Sequence, residues 1–146
     1  MTATPNDDLL PALRELNATA SFNRWAGMTV VAASPGQVTL RLAWREELGQ
    51  YSGHLHAGIV AALIDTACGF AAYTLSGPVA ASHCAVSYLT PGAGPTFTAT
   101  ATVAKAGRRQ IFTNAELHGE RDGRPVLIAQ GHTLLIPVGG QPSATR

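Results

Sequence analysis

Charge is scarce in this chain. Only 13% of its 146 residues are Asp, Glu, Lys or Arg, against roughly a quarter in an average globular domain. The net charge is +1, so no long-range field gathers nucleic acid or anionic lipid. Neither partner is expected, and any anion site must be local. With 46% hydrophobic residues, the shortage of charge points instead to surface hidden by self-association. Cysteine is scarce too. Cys68 and Cys84 both sit in apolar runs, read as small buried hydrophobes, and fit a reducing cytoplasm. The first fifteen residues, MTATPNDDLLPALRE, lack a basic stretch followed by an apolar run, so no secretory signal is expected. Neither an internal repeat nor a linker is visible. The length fits one domain, residues 1–146, able to bury a core without covalent staples.

What is present is concentrated between Gln50 and Leu75, GQYSGHLHAGIVAALIDTACGFAAYTL from Gly49 on. From Ala57 this run is small or apolar except for one carboxylate, Asp65. Ionising a carboxyl in an apolar helix costs several kcal/mol unless it is compensated, so Asp65 is either a satisfied structural group or a chemical one. The run is long enough to raise the question of a membrane span. Asp65 near its middle, and Ala and Gly in place of Leu and Ile, argue against one.

Leu9, Leu10, Leu13 and Leu16 predict a short amphipathic helix over 7–17, followed by a loop or turn carrying Phe22 and Trp25. Met28–Ala33 and Gln37–Trp44 flank Ser34-Pro35-Gly36 and read as a hairpin. A polar loop spans Arg45–Leu55. A helix of about five turns starts at His56, apolar on all sides and therefore buried on most of them, and ends at Gly77-Pro78. Four strand-like runs follow: Ala80–Thr90, Pro95–Gly107, Arg108–His118 and Arg124–Pro137. Residues 1–6 and 139–146 are expected to fray. An antiparallel sheet with one apolar helix against it is an α+β layout. A sheet curled around that helix covers about three sides and leaves the fourth for a partner.

This order and the helix motif resemble the hotdog fold, and within it the phenylacetyl-CoA thioesterase-like branch of acyl-CoA thioesterases. That branch carries Asn or Gln, then His-Gly-Gly six residues on, then Asp nine residues after the His. Gln50, His56-Ala57-Gly58 and Asp65 stand at those positions. The likeness extends to Val86-Ser87-Tyr88-Leu89-Thr90-Pro91 and to Gly107-Arg108-Arg109, and covers about 20–137. It implies a curved antiparallel sheet wrapped around a central helix, and hydrolysis of an acyl- or aryl-CoA thioester. It also implies two sites per dimer and a homodimer or homotetramer. No cofactor is implied, because coenzyme A is part of the substrate. The chain departs from the branch at Ala57, which still offers a backbone N–H. It departs also at Ala81 and His83, where relatives often have Ser or Thr and Asp; His83 is taken as a substrate-contact candidate at that position.

Spacing gives an independent argument. His56 and Asp65 are nine positions apart, which on a helix means roughly opposite faces and about 13 Å along the axis. They cannot meet one substrate within one chain. Two antiparallel copies of the helix across a two-fold axis can bring the start of one against Asp65 of the other. In a thioesterase Asp65 would act as general base on water or as nucleophile; the alternative is a buried Asp capping backbone groups or bonding Thr66. Ala57 and Gly58, with free N–H groups at the positive end of the helix, would hold the oxyanion; the alternative is a tight loop-to-helix turn.

His56 and Gln50 would orient the site. His54 with His56 makes an H-x-H pair, but a third ligand at a familiar spacing is missing, so no metal is expected. Lys105, Arg108 and Arg109 surround a strand-to-strand turn and are the candidates for CoA phosphates, or are simply solvated charges. On a regular strand Arg108 and Arg109 face opposite ways, so only one would serve. Phe22, Trp25 and Tyr73 either line an acyl pocket or belong to the core. The rival functions are a non-catalytic acyl-CoA-binding module and a hotdog hydratase or dehydratase.

Overall fold

The computed structural model describes residues 6–139; the ends expected to fray lie almost wholly outside them. Two helices, α1 (Leu9–Thr19) and α2 (Ser21–Ala26), lead into a hairpin of β1 (Thr29–Ser34) and β2 (Gln37–Ala43). The central helix α3 (Ala57–Ser76) follows, then β3 (Val79–Tyr88), β4 (Thr96–Ala106), β5 (Ile111–Arg121) and β6 (Arg124–Pro137). The six strands form one antiparallel sheet in the order β1-β2-β4-β5-β6-β3. The expected α+β architecture, a curved sheet around one long helix, is what the chain adopts.

Alternation decides which face of the sheet meets α3. Val38, Leu40 and Leu42 of β2, Phe97, Ala99 and Ala101 of β4, and Ile111, Ala115 and Leu117 of β5 point inward and are buried. Thr96, Thr98 and Thr100 alternate with them and are only part-buried, because the opposite face is wet. The central helix contacts β2 through β6. By length and composition alone α3 could cross a membrane; in the fold it lies in the trough of the sheet. Ile59, Val60, Leu63, Ile64, Ala67, Cys68, Ala71 and Ala72 are buried. A stripe of Ala62, Asp65, Thr66, Gly69 and Tyr73 is only half-buried. A Cβ added at Gly69 would meet nothing within 4 Å. One side of the helix is therefore open.

Close approach of α3 to the sheet depends on Gly131 of β6. A Cβ there would lie 2.6 Å from the Ala85 carbonyl oxygen and 2.9 Å from Ile64 Cγ2, so only glycine lets the helix settle at this point. In the N-terminal helices Asn17 and Asn23 are buried but satisfied. Asn23 Nδ2 donates to Asn17 Oδ1 at 3.0 Å and Asn17 Nδ2 to the Met28 carbonyl at 2.8 Å, tying α1 and α2 to β1.

Several local expectations need correction. Phe22 and Trp25 lie on a short helix, not a loop: Gly27, at φ 82°, takes the left-handed conformation that ends it, and six residues are too few to show a period. The polar loop after β2 holds a 3-10 turn, Glu46–Leu48. The third strand-like run begins at Ile111, not Arg108, because Gly107 N–H bonds the Gln110 carbonyl at 2.8 Å and closes the turn first. Cys84 is exposed, not buried; it lies on β3, the outermost strand of the sheet.

Candidate active site

The start of α3 is built by its own cap. His56, with φ −59° and ψ 136°, is the last extended residue, and its carbonyl accepts from Ile59 and Val60 at 2.9 and 3.1 Å. Its Nδ1 accepts from the Gly58 N–H at 2.8 Å. The Gly58 donor is thus not free, as the sequence suggests, but held by the imidazole two residues before it. Among the described residues Ala57 N–H has no partner. It stands in the first turn, where backbone dipoles concentrate positive potential. The phenol of Tyr88, at the end of β3, donates to the Ala57 carbonyl at 3.3 Å and pins this turn to the sheet edge. Gln50, His54, His56, Ala57, Tyr88 and Leu89 share a cleft of about 590 Å³.

Gln50 lines that cleft, but its carbonyl oxygen is engaged. Oε1 accepts from the Ser52 backbone N–H and from Ser52 Oγ, forming a local turn. Its amide NH₂ is the part left to meet a ligand. His54 Nδ1 lies 3.4 Å from Ser52 Oγ. The described residues contain no group of three or more His, Cys, Asp and Glu able to hold a metal ion.

Asp65 faces a different cleft, of about 420 Å³, shared with Leu16, Asn23, Phe70, Tyr73, Ala81 and others. Its expected alternative partner, Thr66, is not the one it uses. Thr133 Oγ1, reaching from β6, donates to Asp65 Oδ1 at 3.4 Å. Burial raises the Asp65 pKa above the ordinary carboxylate value, and the Thr133 hydroxyl partly offsets this. Burial likewise pushes the Cys68 thiol up, which makes it a poor nucleophile. Thr133 is a site residue that the sequence reading misses. Its signal is parity: it shares the inward face of β6 with Leu135 and Ala129, where a hydroxyl is out of place.

Of the remaining candidates only Tyr73 joins either cleft. Lys105, Arg108 and Arg109 are exposed at the β4–β5 turn. With both arginines in the turn, the expectation that they face opposite ways along a strand falls away. The turn lies at the far end of the sheet from the start of α3. There Val103 N–H bonds the Gly36 carbonyl, and Gly36 N–H bonds Thr74 near the helix end. His83 lies on the convex face, its ring 5.7 Å from that of His132, on the opposite side of the sheet from Asp65. A bulge between Ala81 and His83 places Ser82 as the extra residue, with its Oγ on the Leu134 carbonyl. Phe22 and Trp25 flank the start of α3 together with Ile59, whereas Tyr73 belongs to the Asp65 cleft.

One chain therefore offers, among the described residues, an unpartnered backbone N–H in one cleft and a carboxylate of raised pKa in another. The sequence profile of the thioesterase superfamily matches residues 52–126, which include Ala57 and Asp65. The human acyl-coenzyme A thioesterase 13 is 31% identical over 130 residues, covering 86% of this chain and 91% of that protein. A thioesterase family protein from Silicibacter pomeroyi superposes with a TM-score of 0.84 at 31% identity, over 88% of this chain and 96% of the other. The E. coli PaaI protein from the phenylacetic acid degradation operon shares the fold at a TM-score of 0.85 and 19% identity, over 94% and 98%.

Proposed function

We propose, from the premise that this chain belongs to the thioesterase superfamily and is a thioester hydrolase, that it cleaves acyl- or aryl-CoA thioesters to free acid and CoA at sites formed between two copies. The observation that carries this reading is the separation of Asp65 from the start of α3 into two clefts of one protomer. Antiparallel stacking of two α3 helices over their open stripes closes that separation twice, once at each end of the pair. Two further features favour such a pair. The open stripe is built of small residues around Asp65. Beside it, β3 presents ten residues of strand edge with no neighbour on that side in the sheet among the described residues, and an unpaired edge invites a second strand.

In the assembled site the thioester carbonyl lies against the Ala57 N–H of one copy. Asp65 of the other copy acts from the opposite side. As a base, its carboxylate takes a proton from water while the water oxygen bonds the carbonyl carbon. As a nucleophile, it attacks that carbon itself, giving a mixed anhydride when the C–S bond breaks. Water then hydrolyses the anhydride to the free acid and restores the carboxylate. Either way the carbonyl oxygen becomes negative, and a fixed donor at that position is typically worth about 3 kcal/mol. Collapse of the tetrahedral species expels the CoA thiolate, a leaving group that needs no strong acid. A raised Asp65 pKa suits the base, because proton affinity near the working pH is what makes a base effective. His56 and Gln50 orient the helix start and the thioester. Lys105, Arg108 and Arg109 supply local positive charge for the nucleotide phosphates. The reaction needs no cofactor or metal.

The test is free-thiol release from a panel of acyl- and aryl-CoA esters by wild type and Asp65→Asn. Loss of at least about a hundredfold in turnover in a folded variant supports the reading. Near-normal turnover removes Asp65 from the chemistry, and binding of CoA esters without turnover by wild type points to a non-catalytic module.

A further inference from the structure

Thr133 is 1% exposed and sits between Thr113 of β5 and Cys84 of β3 in the sheet. A hydroxyl at that depth requires partners. Its own carbonyl accepts from Thr113 Oγ1 at 2.8 Å, which fixes the backbone of Thr133 from the strand beside it. Its Oγ1 stands 3.4 Å from Asp65 Oδ1 and 3.4 Å from Cys84 Sγ. A hydroxyl has one proton to give, so it serves one acceptor at a time. Gly131, two residues earlier on the same face, is what lets Ile64 and hence Asp65 come down to this level.

We propose that Thr133 is the positioning residue for Asp65: its hydroxyl holds Oδ1 against the sheet, leaves Oδ2 for the cleft, and is shared with Cys84. The inference rests on Asp65 being the catalytic carboxylate proposed above. The titratable groups around Asp65 are few. Cys68 comes from α3 and Cys84 from β3, while Tyr73 of α3 lines the same cleft. The helices α1 and α2 bring Thr19 and Asn23, which do not titrate, and β6 brings only Thr133. In the assembled dimer the His56 of a second copy also faces the site. Among the described residues no cation is fixed beside Asp65, and the Thr133 hydroxyl is the group that favours the ionised form.

The experiment follows the Asp65 titration directly, by NMR of the isotope-labelled carboxyl, beside kcat and kcat/KM against pH. It uses the wild-type protein, Thr133→Val, Thr133→Ser and Cys84→Ala. Valine keeps the shape and removes the proton. The carboxyl should then titrate at higher pH, the acid limb of kcat/KM should move up with it, and kcat near neutral pH should fall about three- to tenfold with KM little changed. Serine keeps the donor and should restore the wild-type profile. Cys84→Ala removes one competing acceptor, Cys68 being another beside Thr133, and should move the titration the other way. The proposal is overturned if Thr133→Val titrates as wild type does, or if Val and Ser lower kcat equally with an unmoved profile. Should Thr133→Val not fold, a shifted profile in Thr133→Ser or an unmoved one in Cys84→Ala overturns it equally. If the titration shifts appear while Asp65→Asn remains active, the contact stands and the catalytic role of Asp65 is what fails.

Discussion

Replacing Ala57 by proline isolates a single backbone hydrogen. Ala57 is the first residue of α3, and its N–H has no partner among the described residues, while the helix takes its first bonds from Ile59 and Val60 to the His56 carbonyl. Proline is at home at this position, because its missing donor is unpaired anyway and its fixed φ is already helical. The residue before a proline must be extended, and His56, at φ −59° and ψ 136°, already is. The stability change should therefore stay within about 1 kcal/mol. The rate change should not be small. Loss of one oxyanion donor costs about a hundred- to a thousandfold in kcat, or roughly 3–4 kcal/mol. The assay is steady-state thiol release, with thermal unfolding as the check on folding and Ala57→Gly, which keeps the N–H, as the control. The ring carbons of proline also enter the cleft, so kcat must be separated from KM: the donor argument requires the loss in kcat. A folded Ala57→Pro variant turning over within about threefold of wild type would refute the oxyanion role of the helix start.

The proposed shared site makes a second, independent demand. Co-refolding equal amounts of Asp65→Asn and Ala57→Pro should restore about a quarter of wild-type activity from two inactive parents, since half of random dimers are mixed and each holds one intact site of two; no recovery would place both residues in one chain's site. Arg108→Ala or Arg109→Ala should weaken CoA esters more than the matching pantetheine esters, measured as KM, and equal effects on both would dismiss the phosphate role. Burial holds the Asp65 pKa above its unfolded value, so the folded state binds that proton more tightly and loses stability as pH rises through the folded pKa. Asp65→Asn should accordingly unfold at a temperature no lower than wild type at neutral pH, and a clearly lower Tm would mean that the carboxylate is structurally required.

The layout of the fold was legible because two periodicities are clean. Val38, Leu40 and Leu42, and then Phe97, Ala99 and Ala101, repeat every second residue, while the run from Ala57 to Ser76 has neither that alternation nor a break. The opposition of His56 and Asp65 followed from helix geometry alone. What the sequence could not convey was hydrogen bonding between distant elements. Asp65 and Thr133 are 68 positions apart, and nothing near either residue announces the other. Local capture was missed for a different reason: an imidazole can turn back on its own helix start, as His56 does onto Gly58, and composition cannot say whether it will. The arginines at 108 and 109 were placed on a strand because charge does not mark where a hairpin turns. The Gly107–Gln110 bond does.

The bare flank of β3 bears on how the protein is made. The opposite margin of the sheet, β1, is guarded by α1, whose Arg14 side chain donates to the Val30 carbonyl at 3.0 Å. The β3 sequence VAASHCAVSY has no proline or lysine to deter a stray strand, and the bulge at Ser82 is its one irregularity. If the proposed dimer covers this edge, a newly synthesised chain would leave the ribosome with an adhesive seam made safe only by meeting a second copy. Dimer formation would then serve as the last act of folding as well as the first of catalysis, and abundance of the chain during synthesis becomes part of its protection from aggregation.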